Sequence, residues 1–184
     1  MTGVAAAKTA QRQAALEQRQ GLNTPARVAA AGEALYQVLR GYQGKVISGY
    51  MPMRGEADPV PALSRLDASI CMPVVLGKAR PLGFRGWHPG AVMIAGAFGA
   101  LIPAEGPDLV PEVLVVPLLA YDGRGYRLGY GGGFYDRTLQ QLRAAGPVVA
   151  IGFAFQGQAV DALTVEATDQ PMDVIVTEAG AIRP

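Results

Sequence analysis

Glu112-Val113-Leu114-Val115-Val116-Pro117-Leu118-Leu119 is the strongest strand signal in the chain, and Ala120-Tyr121 joins it directly to Asp122-Gly123-Arg124-Gly125-Tyr126-Arg127-Leu128-Gly129-Tyr130-Gly131-Gly132-Gly133-Phe134-Tyr135-Asp136. Four apolar residues, Val113 to Val116, stand in an unbroken row. Such a run suits a strand of a parallel sheet covered on both faces, where no position alternates toward water. The second stretch holds six glycines in fifteen residues and leads into a helical segment, Phe134 to Ala144. A strand, a glycine-rich turn and a helix in that order place the turn at the carboxyl end of a strand, where open α/β sheets bind ligands.

The remaining segments extend the same rhythm. Ala5 to Arg19 is rich in Ala, Gln, Leu, Glu and Arg, all strong helix formers, and Gly21 follows it as a stop. Lys8 and Arg12 lie four apart, on one helical face. Thr24-Pro25 is an N-cap followed by proline at the first helical position. The helix it opens runs to about Arg40, with Val28, Ala31, Leu35 and Val38 on one stripe. From Gly44 the pattern shortens. Lys45 to Met51, Ala68 to Val75, Pro147 to Phe153 and Val174 to Thr177 read as strands, and Pro59 to Leu66 as a short helix. Leu82 to Arg85 and Ala91 to Ile94 read as smaller strands in an irregular excursion. Alternating strands and helices predict an α/β fold with right-handed crossovers, a mostly parallel sheet sandwiched by helices in a Rossmann-like three-layer arrangement. A length of 184 residues, without repeats or low-complexity linkers, fits one domain over 1–184.

Composition narrows the function. Lys+Arg is 16 and Asp+Glu is 15, so the charge excess that drives nucleic-acid binding is missing. Charged residues are 17% of the chain and hydrophobic ones 50%, which excludes a disordered tail protein. The apolar stretches Ala91 to Pro103 and Val113 to Ala120 are shorter than the ~20 residues a membrane span takes. The Ala run near the N-terminus lacks the charged segment and long apolar core of a signal peptide. The single Cys71, in Ile70-Cys71-Met72, reads as a small buried hydrophobe, and the single His88 excludes a His-based zinc site. The expected setting is cytoplasmic, with no membrane or nucleic-acid partner and a monomer favoured.

The 24 glycines and 14 prolines make up about a fifth of the chain, where roughly 12% is ordinary. The cluster before Phe134 has two readings. Glycines let backbone N–H groups crowd around an anion, and a helix N-terminus adds a favourable dipole. Alternatively, they form a structural turn. The loop is neither a Walker A sequence nor a dinucleotide fingerprint, because no Gly-Lys-Ser/Thr follows and no acidic residue closes a second strand.

Val116-Pro117-Leu118-Leu119-Ala120-Tyr121-Asp122, then Gly125, Arg127-Leu128-Gly129, Gly131 and Gly133-Phe134-Tyr135-Asp136-Arg137, resembles the signature of the 5-formyltetrahydrofolate cyclo-ligase family, also called 5,10-methenyltetrahydrofolate synthetases. The resemblance covers nearly the whole chain. It includes Lys8 and Arg12, Tyr50-Met51-Pro52 with Glu56, Phe84-Arg85 with Trp87, Ile151-Gly152-Phe153-Ala154-Phe155 with Gln158, and Glu166, Asp169, Met172-Asp173 and Val176-Thr177-Glu178. It departs at Thr164, where proline is usual, at Thr168, where histidine usually precedes the aspartate, and at Ile102-Pro103, where Glu-Pro is common.

The resemblance implies conversion of 5-formyltetrahydrofolate, with or without a polyglutamate tail, and ATP to 5,10-methenyltetrahydrofolate, ADP and phosphate, with Mg²⁺. Phosphorylating the formyl oxygen makes it a leaving group, and N10 then closes the ring, so the protein positions and neutralises rather than supplying a nucleophile. On this basis Arg127-Leu128-Gly129-Tyr130-Gly131-Gly132-Gly133-Phe134-Tyr135 wraps the triphosphate, with Lys8 and Arg12 as a clamp. Arg127 and Tyr135 stand at the reacting groups. Asp136 and Asp169 are the metal ligands. Met51, Glu56, Trp87 and Phe134 take the folate, and Arg85 is a candidate for its glutamate carboxylates. Two alternatives stay open: a non-catalytic folate or nucleotide binder, and a sugar-phosphate or CoA-ester enzyme of similar fold.

Overall fold

A computed structural model describes residues 3–184. Its elements in chain order are α1 (Gly3–Arg19), α2 (Pro25–Leu39), β1 (Val46–Ser48), α3 (Val60–Leu63), β2 (Ser69–Val75), β3 (Leu82–Trp87), β4 (Met93–Ala95), β5 (Leu101–Pro103), β6 (Val113–Pro117), β7 (Ala120–Tyr121), β8 (Arg127–Leu128), α4 (Phe134–Ala145), β9 (Val149–Phe153), β10 (Val174–Thr177) and β11 (Gly180–Ile182). Thr24 caps α2 as expected, its Oγ1 accepting from the Arg27 amide with Pro25 at the first helical position.

Seven strands form one sheet in the order β11-β10-β9-β6-β1-β2-β3. The five central strands pair in parallel. An antiparallel strand closes each edge, β3 on β2 and β11 on β10. The Val113-Leu114-Val115-Val116 run lies mid-sheet, with all four residues at most 1% exposed. Val113 and Val115 face the layer of α2 and α3, packing with Ile47, Ile151, Leu35 and Leu63. Leu114 and Val116 face the opposite layer, with Cys71, Ala150, Ile175 and Leu139 of α4. The unbroken apolar run is therefore buried on both faces, each side chain worth about 1.5–3 kcal/mol of burial. Among the described residues no helix is long and apolar enough to cross a membrane.

From β1 the chain builds outward to β2 and β3, then crosses back to place β6 on the other side of β1. This reversal is a topological switch point, and the crevice outside the carboxyl ends of β1 and β6 is where such sheets bind ligands.

Two small hairpins sit apart from the main sheet. β7 pairs with β8, and Asp122 holds the connection. Its buried carboxylate accepts from the Arg124, Tyr126 and Leu163 amides and from the Arg124 guanidinium. Burial works against its charge, but the Arg124 side chain and the amides outweigh it and hold the pKa below the usual carboxylate value. The second hairpin, β4 with β5, refines the expected excursion: Ala91 to Ile94 becomes Met93–Ala95, and its partner β5 is new. Phe98 at its tip has φ 58°, a left-handed conformation uncommon for a bulky residue.

Candidate active site

A cleft of about 800 Å³ opens at the switch point. Tyr50 and Met51 enter it from beyond β1, Pro73 and Val75 from the end of β2, and Pro117 from the end of β6. The expected β1 span to Met51 is shorter in the structure because the chain leaves the sheet after Ser48, carrying Tyr50 and Met51 to the cleft wall.

At one end lie the glycine loop and the charges. Gly131 (φ 94°) and Gly133 (φ 62°) occupy left-handed conformations that suit glycine. Gly133 is the N-cap of α4, and no side chain caps that end, leaving the first-turn amides for an anion. Arg12 braces the loop, its Nε donating to Gly129 O at 3.0 Å. Its guanidinium lies so close that a Cβ on Gly131 would stand 3.2 Å from Cζ.

Lys8, Arg127 and the carboxylates around the loop are paired with one another. Lys8 Nζ donates to Asp169 Oδ2 at 2.6 Å and to Glu166 Oε2 at 2.8 Å. Burial tends to lower its pKa, but the two carboxylates prevail and hold the amine above its ordinary value. Arg127, with its side chain 5% exposed, donates to Asp136 Oδ1 at 2.9 Å and to Gln170 O at 2.7 Å. Asp136 Oδ1 also accepts the Gln170 amide. Lys8, Arg12, Arg127, Asp136, Glu166 and Asp169 all line the cleft. Glu166 is an addition to the predicted site residues. Its three-residue spacing from Asp169 is the sequence signal, and the turn it forms is closed by the Glu166 amide donating to Asp169 Oδ2.

The other compartment is mostly apolar. Val75, Leu82, Phe98, Leu101 and Phe134 line it, with the Phe98 and Phe134 rings 5.9 Å apart. The buried acid of the cleft is Glu56, 4% exposed, beside Tyr130 of the glycine loop. Met53–Glu56 form a tight turn: Glu56 N donates to Met53 O, and Glu56 Oε2 accepts the Met53 amide. Burial pushes the Glu56 carboxyl above its ordinary value, opposed by the Met53 amide, Tyr130, Arg19 and Arg54. Burial and then Glu56 push the Tyr135 phenol well up, so it stays a protonated donor at neutral pH. Burial likewise raises the Cys71 thiol to about 12, which makes it unreactive.

Leu128 and Tyr130 line the cleft with the rest of the predicted loop, Gly132 and Tyr135 included. Two predicted side chains do not. Trp87 is packed in the core with Ile70, Met72 and Leu63 and is only 9% exposed. The antiparallel register explains this: Leu82, opposite Val75, reaches the cleft, whereas Trp87 lies opposite Ile70 at the far end of β2. Five residues of strand put the two about 16 Å apart. Arg85 donates to Pro103 O and Ala104 O, bracing the β4–β5 hairpin instead of reaching for a ligand. Phe98, 70% exposed at the hairpin tip, lines the cleft where Trp87 does not.

The 5-formyltetrahydrofolate cyclo-ligase family model matches residues 4–178. The chain belongs to that family. The cyclo-ligase of Escherichia coli strain K12 is 33% identical over 140 residues, covering 71% of this chain and 76% of the relative. That of Mycolicibacterium smegmatis is 31% identical over 166 residues, covering 79% and 82%. Among solved structures, the Aquifex aeolicus 5,10-methenyltetrahydrofolate synthetase superposes with a TM-score of 0.75 at 29% identity, covering 96% of this chain and 92% of its own. The Mycoplasma pneumoniae synthetase shares the fold, with a TM-score of 0.68 at 22% identity and coverages of 93% and 98%. The cyclo-ligase fold is thus the doubly covered, mostly parallel sheet described above.

Proposed function

We propose that this chain converts 5-formyltetrahydrofolate and ATP to 5,10-methenyltetrahydrofolate, ADP and phosphate. The observation that carries the reading is a cleft that brings together a cation-braced glycine loop, an apolar wall and a buried acid, Glu56. The relatives' names supply the substrate.

The N5-formyl group is an amide, and its oxygen is a poor leaving group. Transfer of the γ-phosphoryl group to that oxygen forms an O–P bond and breaks the bond to ADP. N10 then attacks the formyl carbon and gives up its proton, and the C–O bond breaks as phosphate departs. The loop amides of Gly131 to Phe134, with Lys8 and Arg12, take the polyphosphate. Arg127 offsets charge developing at the transferred group, and Tyr135, a protonated phenol that lines the cleft, is the hydroxyl donor for the reacting groups. Glu56 accepts the amino and ring N–H groups of the pterin. Phe98, Phe134 and Met51 enclose the apolar part of the folate and exclude water.

The donor set fits a magnesium ion only alongside a nucleotide. Asp136 and Asp169 are both cleft carboxylates, and the described residues hold no group of three His, Cys, Asp or Glu side chains able to grip a metal alone. Mg²⁺ is held by one or two carboxylates, waters and substrate phosphates, and when bound it screens the phosphate charge. Asp136 and Asp169 would hold it.

Absorbance growth at the methenyl band, on mixing the protein with 5-formyltetrahydrofolate, ATP and Mg²⁺, tests the reading. Growth that requires all three supports it. Folate binding without growth would leave a binding protein, and ligand binding indifferent to ATP would point to other chemistry.

A further inference from the structure

Helix α1 buries three residues among those described: Lys8, Ala15 and Arg19. With the half-buried Arg12 they form a stripe at i, i+4, i+7 and i+11, one face of the helix. At 1.5 Å per residue the stripe extends about 16 Å. One end meets the nucleotide-side charges through Lys8, and the other reaches the acid turn through Arg19.

Arg19 is 4% exposed. Its Nη2 donates to two acceptors on different loops, Arg54 O at 2.7 Å and the Tyr130 hydroxyl at 2.8 Å. Arg54 belongs to the Met53–Glu56 turn, and Tyr130 to the glycine loop. Both Arg19 and Arg54 lie over the Tyr130 ring, at 5.8 and 5.5 Å. The Glu56 carboxylate lies beside the same Tyr130 hydroxyl and, after burial, helps raise its pKa. Arg19 Nη1 is buried with no partner among the described residues. An uncharged side chain of similar volume would avoid that cost, because a buried charge with unmet donors is a poor way to stabilise a fold. The guanidinium does one thing an apolar residue cannot: it fixes the two loops relative to each other.

We infer that Arg19 is a positioning residue that couples the two halves of the cleft, so that nucleotide seated in the glycine loop tightens the folate site through Tyr130, Arg19 and the Arg54–Glu56 turn. The inference rests on the functional reading given above. Its physical basis is shared ordering: a ligand that fixes one loop fixes the acceptor of Arg19, and the second ligand then has less to immobilise. Arg19 itself does not line the cleft, so it acts through the residues it holds.

Calorimetric titration of 5-formyltetrahydrofolate, with and without a non-hydrolysable ATP analogue and Mg²⁺, provides the test. In the wild-type protein the analogue should tighten folate binding by about five-fold or more. Arg19→Met should bring that ratio to within two-fold of unity, and Arg19→Lys should restore part of it. Tyr130→Phe keeps the ring but removes the hydroxyl, and it should also lower the ratio. It decides the matter if Arg19→Met does not fold. If Arg19→Met weakens folate equally with and without nucleotide, the ratio survives, Arg19 is merely structural and the coupling is refuted. A wild-type ratio of one refutes it as well. A wild-type protein that binds folate in neither condition removes the functional reading, and the coupling with it.

Discussion

Asp136 accepts two hydrogen bonds at one oxygen, from Arg127 and from the Gln170 amide. It therefore ties Arg127 to the backbone at Gln170. Asp136→Ala removes that acceptor and the proposed metal ligand, while Arg127 keeps its bond to Gln170 O. Turnover should fall by about 100-fold or more, the scale of losing one element of transition-state electrostatics, here through Arg127 and the Mg²⁺ that Asp136 would hold. The fold should survive with a small change in melting temperature, because Asp136 is partly exposed. Steady-state kinetics at saturating Mg²⁺ check this, and retained activity would remove Asp136 from the metal site. Glu56 makes the opposite trade. A carboxyl whose folded pKa is raised loses stability as pH climbs from its ordinary value through the raised one. Glu56→Gln has no charge to bury, so it should melt higher than wild type at pH 7, and the difference should vanish in acid below the ordinary carboxylate range. Its folate KM should rise, since an amide presents a donor where the pterin needs an acceptor. Melts across pH together with KM values test both halves.

The glycine loop works through its backbone path between β8 and α4. Gly131 at φ 94° lies where L side chains are strained, and a Cβ there would press on the Arg12 guanidinium. Gly131→Ala should cost about 1–3 kcal/mol of local strain, expressed as a higher KM for ATP and a smaller change for folate. Equal changes in both would mean that the loop serves the two substrates alike. This loop was legible in the sequence because glycine density is a local property. The β6 run was legible for the same reason: burial on both faces writes itself as consecutive Val and Leu. Of the β4–β5 hairpin only β4 was legible, as Ala91 to Ile94, and the β7–β8 hairpin was not, because strands of two or three residues carry no period. Trp87 misled because sequence does not reveal strand direction, and the antiparallel turn into β3 sends the tryptophan to the far end while delivering Leu82 to the cleft. Phe98 was hidden in an excursion whose tip is set by an unusual backbone angle rather than by any motif.

For the molecule as a whole, the parallel sheet separates two jobs. Stability is concentrated in the layers packed on β6 and its neighbours, and the cleft opens at the carboxyl ends of the strands. Most site charges are also paired internally, Lys8 with Asp169 and Glu166, Arg127 with Asp136. A ligand that took over one of these ion pairs would leave the core packing unchanged. This separation can be tested with Trp87, which lies in the core and outside the cleft. Trp87→Phe should cost about 1–2 kcal/mol through incomplete refilling of its space, a drop of roughly 2–8 °C in melting temperature for a chain of this size. A ligand present at 100 times its Kd adds about 2.7 kcal/mol to the stability of whatever folded protein it binds. If the core and the cleft are independent, that increment is the same in the variant and the wild type, as distant sites add. Thermal melts of both proteins with and without 5-formyltetrahydrofolate, and with and without ATP and Mg²⁺, give the four differences needed. A folate increment that shrinks in Trp87→Phe while the nucleotide increment holds would return the tryptophan to the folate site, against its position opposite Ile70.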